Sequence, residues 1–317
     1  MPTARLLWAP TRKRIRVRGV PPSGSAAEVS ERDIHHVVNR VAVVTGATRN
    51  LGLALVEGLA RQLGQDDVVY LTSRDPERVA QALAAIEAPR AQLRGEALDV
   101  ADSDAVARLA TALAERHGRV DVVFSNAYHR VGPEDDPAAA VERYAAVNNL
   151  GTTNMLRAFA PLLPEHGRLL VVASELGRLH YLAPVLHRRF EEPETLDDID
   201  LAVCAWREAV RDRRRAAAEA WPAFINIPSK IAQVAAVRVL ARERREDDLP
   251  RDTLIAAVCP GMIDDGASRP WFSDMSRAQT PGEAAVALLD LALAAPAADP
   301  TFYGELVQFG RVLPWGP

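Results

Sequence analysis

Thr45-Gly46-Ala47-Thr48-Arg49-Asn50-Leu51-Gly52 lies between an apolar run, Val41-Ala42-Val43-Val44, and a segment from Leu51 to Leu63 whose apolar residues recur at helical spacing. A buried strand, a glycine-bearing turn and a helix in that order bring backbone amides and the positive end of a helix to one point, where a pyrophosphate can be held. Glycines alone would mark only a tight turn. The strand before them and the helix after them make the stretch a nucleotide-binding signal and set the first strand-to-helix unit of the chain.

Outward from this turn the alternation repeats. Val68 to Leu71 predicts a second strand, and Pro76 falls in the first turn of the helix that follows. Ala91 to Leu98 reads as a third strand, Ala105 to Leu113 as helix, Val120 to Phe124 as a fourth strand, Val141 to Phe159 as a long helix and Leu169 to Val172 as a fifth strand. Helical crossovers between such strands give a parallel sheet covered on both faces. The stretch 178–222 interrupts the pattern with charged helical sequence, including Arg211-Asp212-Arg213-Arg214-Arg215, and reads as an insertion. A helix through Ile231 to Leu240, a strand Leu254 to Val258, a helix Ala284 to Leu293 and a strand near Leu306-Val307 complete the sheet. The expectation is a Rossmann-type, doubly wound α/β domain over 39–317 with about seven strands.

Residues 1–38 differ in texture. Arg12-Lys13-Arg14-Ile15-Arg16-Val17-Arg18 is a basic run, and Pro21-Pro22-Ser23-Gly24-Ser25 supports no regular element, so an irregular basic arm is expected; His35-His36 within it has no partner in the pattern. Leu6-Leu7-Trp8 precedes the charge, the reverse of a secretory signal, and no apolar run is long enough to span a membrane. The 317 residues are 48% hydrophobic, enough for a substantial core, and carry a formal net charge of −4, so no global field draws the protein to nucleic acid or an anionic membrane. Cys204 and Cys259 are too few for a disulfide scaffold, and no metal-ligand spacing is present. A cytoplasmic protein with a small-molecule partner is expected.

Further motifs sit at the strand ends. Leu98-Asp99-Val100, Ser125-Asn126-Ala127-Tyr128, Val147-Asn148, Val172-Ala173-Ser174, Lys230 and Cys259-Pro260-Gly261 follow the glycine turn in that order. Over residues 39 to about 310 the chain resembles the short-chain dehydrogenase/reductase family, with its TGxxxGxG turn, and most closely the monomeric carbonyl reductase branch. The resemblance implies that Thr45, Gly46, Arg49, Asn50, Leu51 and Gly52 border the pyrophosphate, that Asp99 and Val100 meet the adenine, and that Asn126 and Ala127 stand in the family's NNAG. It further implies that Asn148 kinks the long helix and positions water, that Ser174 is the catalytic serine and Lys230 the active-site lysine, and that Pro260 and Gly261 pass the nicotinamide. Ser174 and Asn226 are 52 positions apart, far more than in most of the family, and the carbonyl reductases carry an insertion at that place.

Four positions depart from the family pattern. Asn50 replaces the middle glycine of the turn, Tyr128 the glycine of NNAG, and Asp265 a threonine after Pro260-Gly261. Asn226 stands where the resemblance puts the catalytic tyrosine. A phenol near pKa ~10 gives up a proton once a lysine lowers that value, whereas a carboxamide has none to give near neutrality. Tyr181 and His180 after the fifth strand, and Tyr128 and His129 after the fourth, are the candidate replacements, because ligands of open parallel sheets bind at the carboxyl ends of strands.

Arg49 in the turn and Arg74 after the second strand, where an NAD-specific protein presents an acid, suit a 2′-phosphate, so the expected cofactor is NADP(H). Three functions stay open at this point. One is an NADP(H)-dependent oxidoreductase with a relocated proton donor, Tyr181 first among candidates. Another is a non-redox isomerase, cyclase or lyase in which Ser174 and Asn226 stabilise an enolate-like oxygen. The last is a catalytically silent binding protein. The charged insertion precedes the helix bearing Lys230, which the family's oligomers pack across a two-fold axis, so a monomer is expected.

Overall fold

The computed structural model describes residues 39–266, 268–294 and 298–316; the arm read in residues 1–38, with His35-His36, lies outside the described residues. Strand β1 (Val41–Val44) is completely buried, as its unbroken apolar run requires. Helix α1 (Asn50–Gln62) follows the glycine turn and buries Leu51, Leu55 and Leu59 on one stripe. β2 (Val68–Ser73), α2 (Pro76–Ala85), β3 (Gln92–Ala97), α3 (Ser103–His117) and β4 (Val122–Ser125) continue the alternation. After them come α4 (Pro137–Ala145) and α5 (Gly151–Phe159), then β5 (Arg168–Val172), and the insertion, which contributes α6 (Arg188–Glu191), α7 (Leu196–Arg211) and α8 (Arg213–Ala218). The chain returns through α9 (Asn226–Asp248), β6 (Leu254–Val258), α10 (Pro281–Leu293), β7 (Leu306–Gln308) and β8 (Arg311–Leu313).

These strands form one sheet in the order β3-β2-β1-β4-β5-β6-β7-β8, parallel except for β7 with β8. The strand order reverses between β1 and β4, so a crevice opens there at the carboxyl ends of the strands. The sheet has eight strands where the sequence suggests about seven, because β7 folds back on β8 through Phe309 and Gly310, both at positive φ.

The helix expected from Val141 to Phe159 is broken by a π-helical turn at Ala146–Leu150. Two asparagines use the extra residue in opposite directions. Asn148 accepts from the His129 amide (2.7 Å) and donates to the His129 carbonyl (3.0 Å), while Asn149 donates to the Ser229 carbonyl (2.8 Å) and accepts from the Ser229 hydroxyl (2.9 Å). The bulge therefore ties the loop after β4 to the start of α9, the two segments that carry Tyr128 and Asn226. Helix α7 buries Ile199, Val203 and Trp206 and is pinned to α5 by Thr153 donating to Asp200 (2.7 Å) and by Arg157 against Asp200 (2.8 Å). No helix among the described residues is long and apolar enough to cross a membrane.

Candidate active site

A cleft of about 980 Å³ runs along the carboxyl ends of the strands, lined at one end by the turn after β1 and at the other by Ser174, Asn226 and Lys230. The turn is built around Thr45. Its buried hydroxyl accepts from the backbone amides of Asn126 and Ala127 (2.9 Å each), and the Asn126 carboxamide donates to the Thr45 carbonyl (2.8 Å). Gly46 sits at φ +63°, where a Cβ would come within 2.7 Å of the Ala127 Cα, so no other residue fits without moving backbone. Asn50 takes φ +49°, a left-handed conformation that asparagine tolerates better than most residues.

The chemistry of this end suits an anion. Helices α2, α3 and α4 are capped by Asp75, Asp102 and Asp136, whereas the N-terminus of α1, which faces the cleft, has no side-chain cap among the described residues. Arg49 and Arg74 line the same end, exposed and without an ion pair among the described residues. Asp99 lies beside them and is held by Arg143 (2.6 Å). Burial would raise the Asp99 carboxyl, but the Arg143 hydrogen bond, the Ala101 amide and the charges of Arg143 and Arg74 together hold it below the usual carboxylate range. One feature works against an anion: the Asn50 carboxamide reaches to the Asp265 carboxylate (3.0 Å), setting a negative charge beside the turn. Leu51, Gly52, Val100, Asn126, Ala127, Pro260 and Gly261 also line the cleft, while Thr45 lies buried beneath it.

At the other end Lys230 is buried, donating to the Val172 carbonyl (3.1 Å) and to Gln233 Oε1 (2.8 Å), with its ammonium 5.2 Å from the centre of the Tyr128 ring. Gln233 is held in turn by donating to Thr152 (3.0 Å). Burial disfavours the charged form and pulls the Lys230 ammonium down to about 8. Ser174 accepts from the Leu176 amide (3.3 Å), which leaves its own proton for another partner. Asn226 opens α9, with Pro228 inside the first turn, where a missing amide costs nothing. Its Oδ1 accepts a 2.7 Å hydrogen bond from the phenol of Tyr144, and Tyr144 is 3.3 Å from the phenol of Tyr128.

The candidate acids separate clearly. Tyr181 lines the cleft but donates only a long bond to Glu175 (3.5 Å), and burial together with that carboxylate raises its phenol. His180 does not line the cleft and packs on the Tyr181 ring at 4.0 Å. His129 lines it, but burial and the nearby charges of Arg143 and Arg74 lower its imidazole, keeping it neutral at physiological pH. Tyr128 lies against Lys230 and Tyr144, and burial raises its phenol. Asn148, expected to position water, is not part of the lining; both ends of its carboxamide are bound to the His129 backbone. Arg143, Tyr144 and Gln233 were not singled out from the sequence. Tyr144 stands one turn before Asn148 and Gln233 three residues after Lys230, spacings that share a helix face with a recognised residue.

The profile of the family described as short chain dehydrogenase matches residues 40–185. Carbonyl reductase (NADPH) 1 of Sus scrofa is 30% identical over 286 residues, covering 87% of this chain and 94% of that protein. Carbonyl reductase (NADPH) 3 of Homo sapiens is 32% identical over 232 residues, covering 71% of this chain and 82% of that protein. The chain belongs to the short-chain dehydrogenase family. Among solved structures, salutaridine reductase from Papaver somniferum matches the fold with a TM-score of 0.66 at 20% identity, covering 82% of this chain and 98% of that one.

Proposed function

We propose that the protein is an NADP(H)-dependent oxidoreductase acting on a carbonyl or alcohol of a small molecule, in which Asn226 takes the place of the family's tyrosine and the proton comes from another source. The observation that carries this reading is the continuity of the cleft: the uncapped end of α1 with Arg49 and Arg74 lines one end, and Ser174, Asn226 and Lys230 line the other. NADP(H), when bound, supplies or takes up the hydride. Arg49 and Arg74 would grip its 2′-phosphate, Asp99 would meet the adenine, and Pro260 and Gly261 would flank the nicotinamide. Ser174 and Asn226 would donate to the substrate oxygen, and Tyr181, which lines the cleft, would be the loop phenol that supplies the proton. A relative named for NADPH at 30% identity over 94% of its length supports the cofactor assignment.

Calorimetric titration tests it. NADPH is expected to bind more tightly than NADH, and equal affinity for the two removes the assignment. A non-redox isomerase, cyclase or lyase on the same cleft is the second reading, favoured by a carboxamide that has no proton to give and by the Asp265 carboxylate beside the turn. Residues 39–317 are proposed to act as one monomeric unit, because α7 of the insertion lies over α5 and buries Ile199, Val203 and Trp206. Light scattering that gives a mass of two or four chains overturns the monomer.

A further inference from the structure

The carboxamide of Asn226 has one accepting end and one donating end, and which of them faces the cleft decides what the residue can do to a substrate. Its surroundings break the symmetry. Tyr144 is wholly buried, and its hydroxyl approaches the Asn226 carboxamide at 2.7 Å from the protein side, away from solvent. A phenol is a better donor than acceptor, since its lone pair is delocalised into the ring, and a carboxamide oxygen is the better acceptor of the two amide ends. The pair therefore settles with Oδ1 toward Tyr144. That bond uses the only proton of Tyr144, so the 3.3 Å contact with Tyr128 is made by Tyr128 donating to the Tyr144 oxygen. Three groups then point the same way, Tyr128 to Tyr144 to Asn226, and each bond strengthens the next.

We infer that Tyr144 is the positioning residue for Asn226, turning its Nδ2 into the cleft as a fixed neutral hydrogen-bond donor to the oxygen of a bound carbonyl. The inference rests on the reading that the cleft holds a carbonyl substrate, and it assigns the chain a pair of neutral donors, Ser174 and Asn226, in place of a proton-transferring phenol. The π-turn beside Tyr144 and its bonds to the loop after β4 and to Ser229 of α9 hold this arrangement still, so little reorganisation is needed when charge develops on the oxygen.

Dimethylaminocinnamaldehyde reads this directly, because its absorption moves to the red when its carbonyl oxygen accepts hydrogen bonds. The unmodified protein is expected to bind the dye with a red shift. Tyr144→Phe lowers that shift by at least half, and Asn226→Asp, which keeps an acceptor for Tyr144 but removes the donor, lowers it at least as far, to what Ser174 alone supports. Tyr70→Phe removes another buried phenol outside the cleft, bonded to His117 (2.9 Å), and leaves the shift intact. Wherever turnover is measurable, Tyr144→Phe lowers kcat about tenfold with KM within about twofold, as expected for a donor that matters in the transition state. A full red shift in Tyr144→Phe or in Asn226→Asp overturns the inference, as does an unshifted or unbound dye in the unmodified protein; if Tyr144→Phe does not fold, Asn226→Asp decides alone. The dye needs no cofactor, so the expected pattern with no NADPH-dependent reduction of benzaldehyde by either the parent or Asn226→Tyr keeps the positioning role and removes the oxidoreductase reading. NADPH consumption with the pattern absent does the reverse.

Discussion

The two ends of the cleft are built on different principles. At the turn after β1 the work is done by backbone: glycine at φ +63° in Gly46, amides gathered on the Thr45 hydroxyl, and the open N-terminus of α1. At the other end it is done by side chains, each held by a specific partner: Lys230 on Val172 and Gln233, Asn226 on Tyr144. A backbone-built site tolerates exchange of side chains, whereas a side-chain-built site changes its chemistry when one group is exchanged.

The strongest test of that contrast is to place a phenol at position 226. Asn226→Tyr is expected to raise NADPH-dependent reduction of benzaldehyde by a factor on the order of 10²–10⁴, the usual contribution of a positioned general acid. Steady-state assays of parent and variant side by side measure it, and an unchanged or lower rate means that more than the acid has been altered at this end.

Next in size is the cost of burying Lys230. Its folded pKa of about 8 lies below the ordinary 10.5, so between those values the unfolded chain binds more protons at this position, and folding stability rises with pH across that window; below about 8 the penalty is constant. The gain is at most ~3 kcal/mol. Urea denaturation of the parent relative to Lys230→Met should show this rise, and parallel curves for the two proteins would contradict it.

At the backbone-built end, Arg74→Ala is expected to weaken NADPH by the ~1.5–3 kcal/mol of a charge-assisted hydrogen bond and to leave NADH unchanged, as calorimetry reports. The smallest effect falls on the Asn50 to Asp265 contact. Asp265→Asn keeps a partner for Asn50 and removes the charge beside the turn, so NADPH should bind ~5-fold more tightly, with the gain shrinking as salt is added. Weaker binding in Asp265→Asn would mean that the carboxylate assists the cofactor.

The same division governs what the sequence reveals. The glycine turn and the seven strands from β1 to β7 are legible because apolar periodicity and glycine placement are local properties, whereas Ser174, Asn226 and Lys230, which line the cleft, are pointed to by the family resemblance. β8 is not legible, since its hairpin turn uses Phe309 and Gly310 at positive φ, and phenylalanine is a poor signal for a turn that ordinarily carries asparagine or aspartate before glycine. The break of the long helix at Asn148 is implied by the resemblance and takes the form of the π-turn Ala146–Leu150, whereas the contact of Tyr144 with Asn226 is not legible. It joins α4 to α9, segments distant in sequence, and no local pattern announces it.

The central proposal is that the cleft reduces a carbonyl with NADPH although position 226, at the start of α9, carries a carboxamide and no phenol. Incubating the parent protein with benzaldehyde and NADPH deuterated on the transferred position, then analysing the product by mass spectrometry, tests it most directly. The account predicts benzyl alcohol bearing one deuterium at the carbinol carbon, at a rate that rises in Asn226→Tyr. Unlabelled alcohol, or none from parent and Asn226→Tyr alike under saturating NADPH, would contradict it.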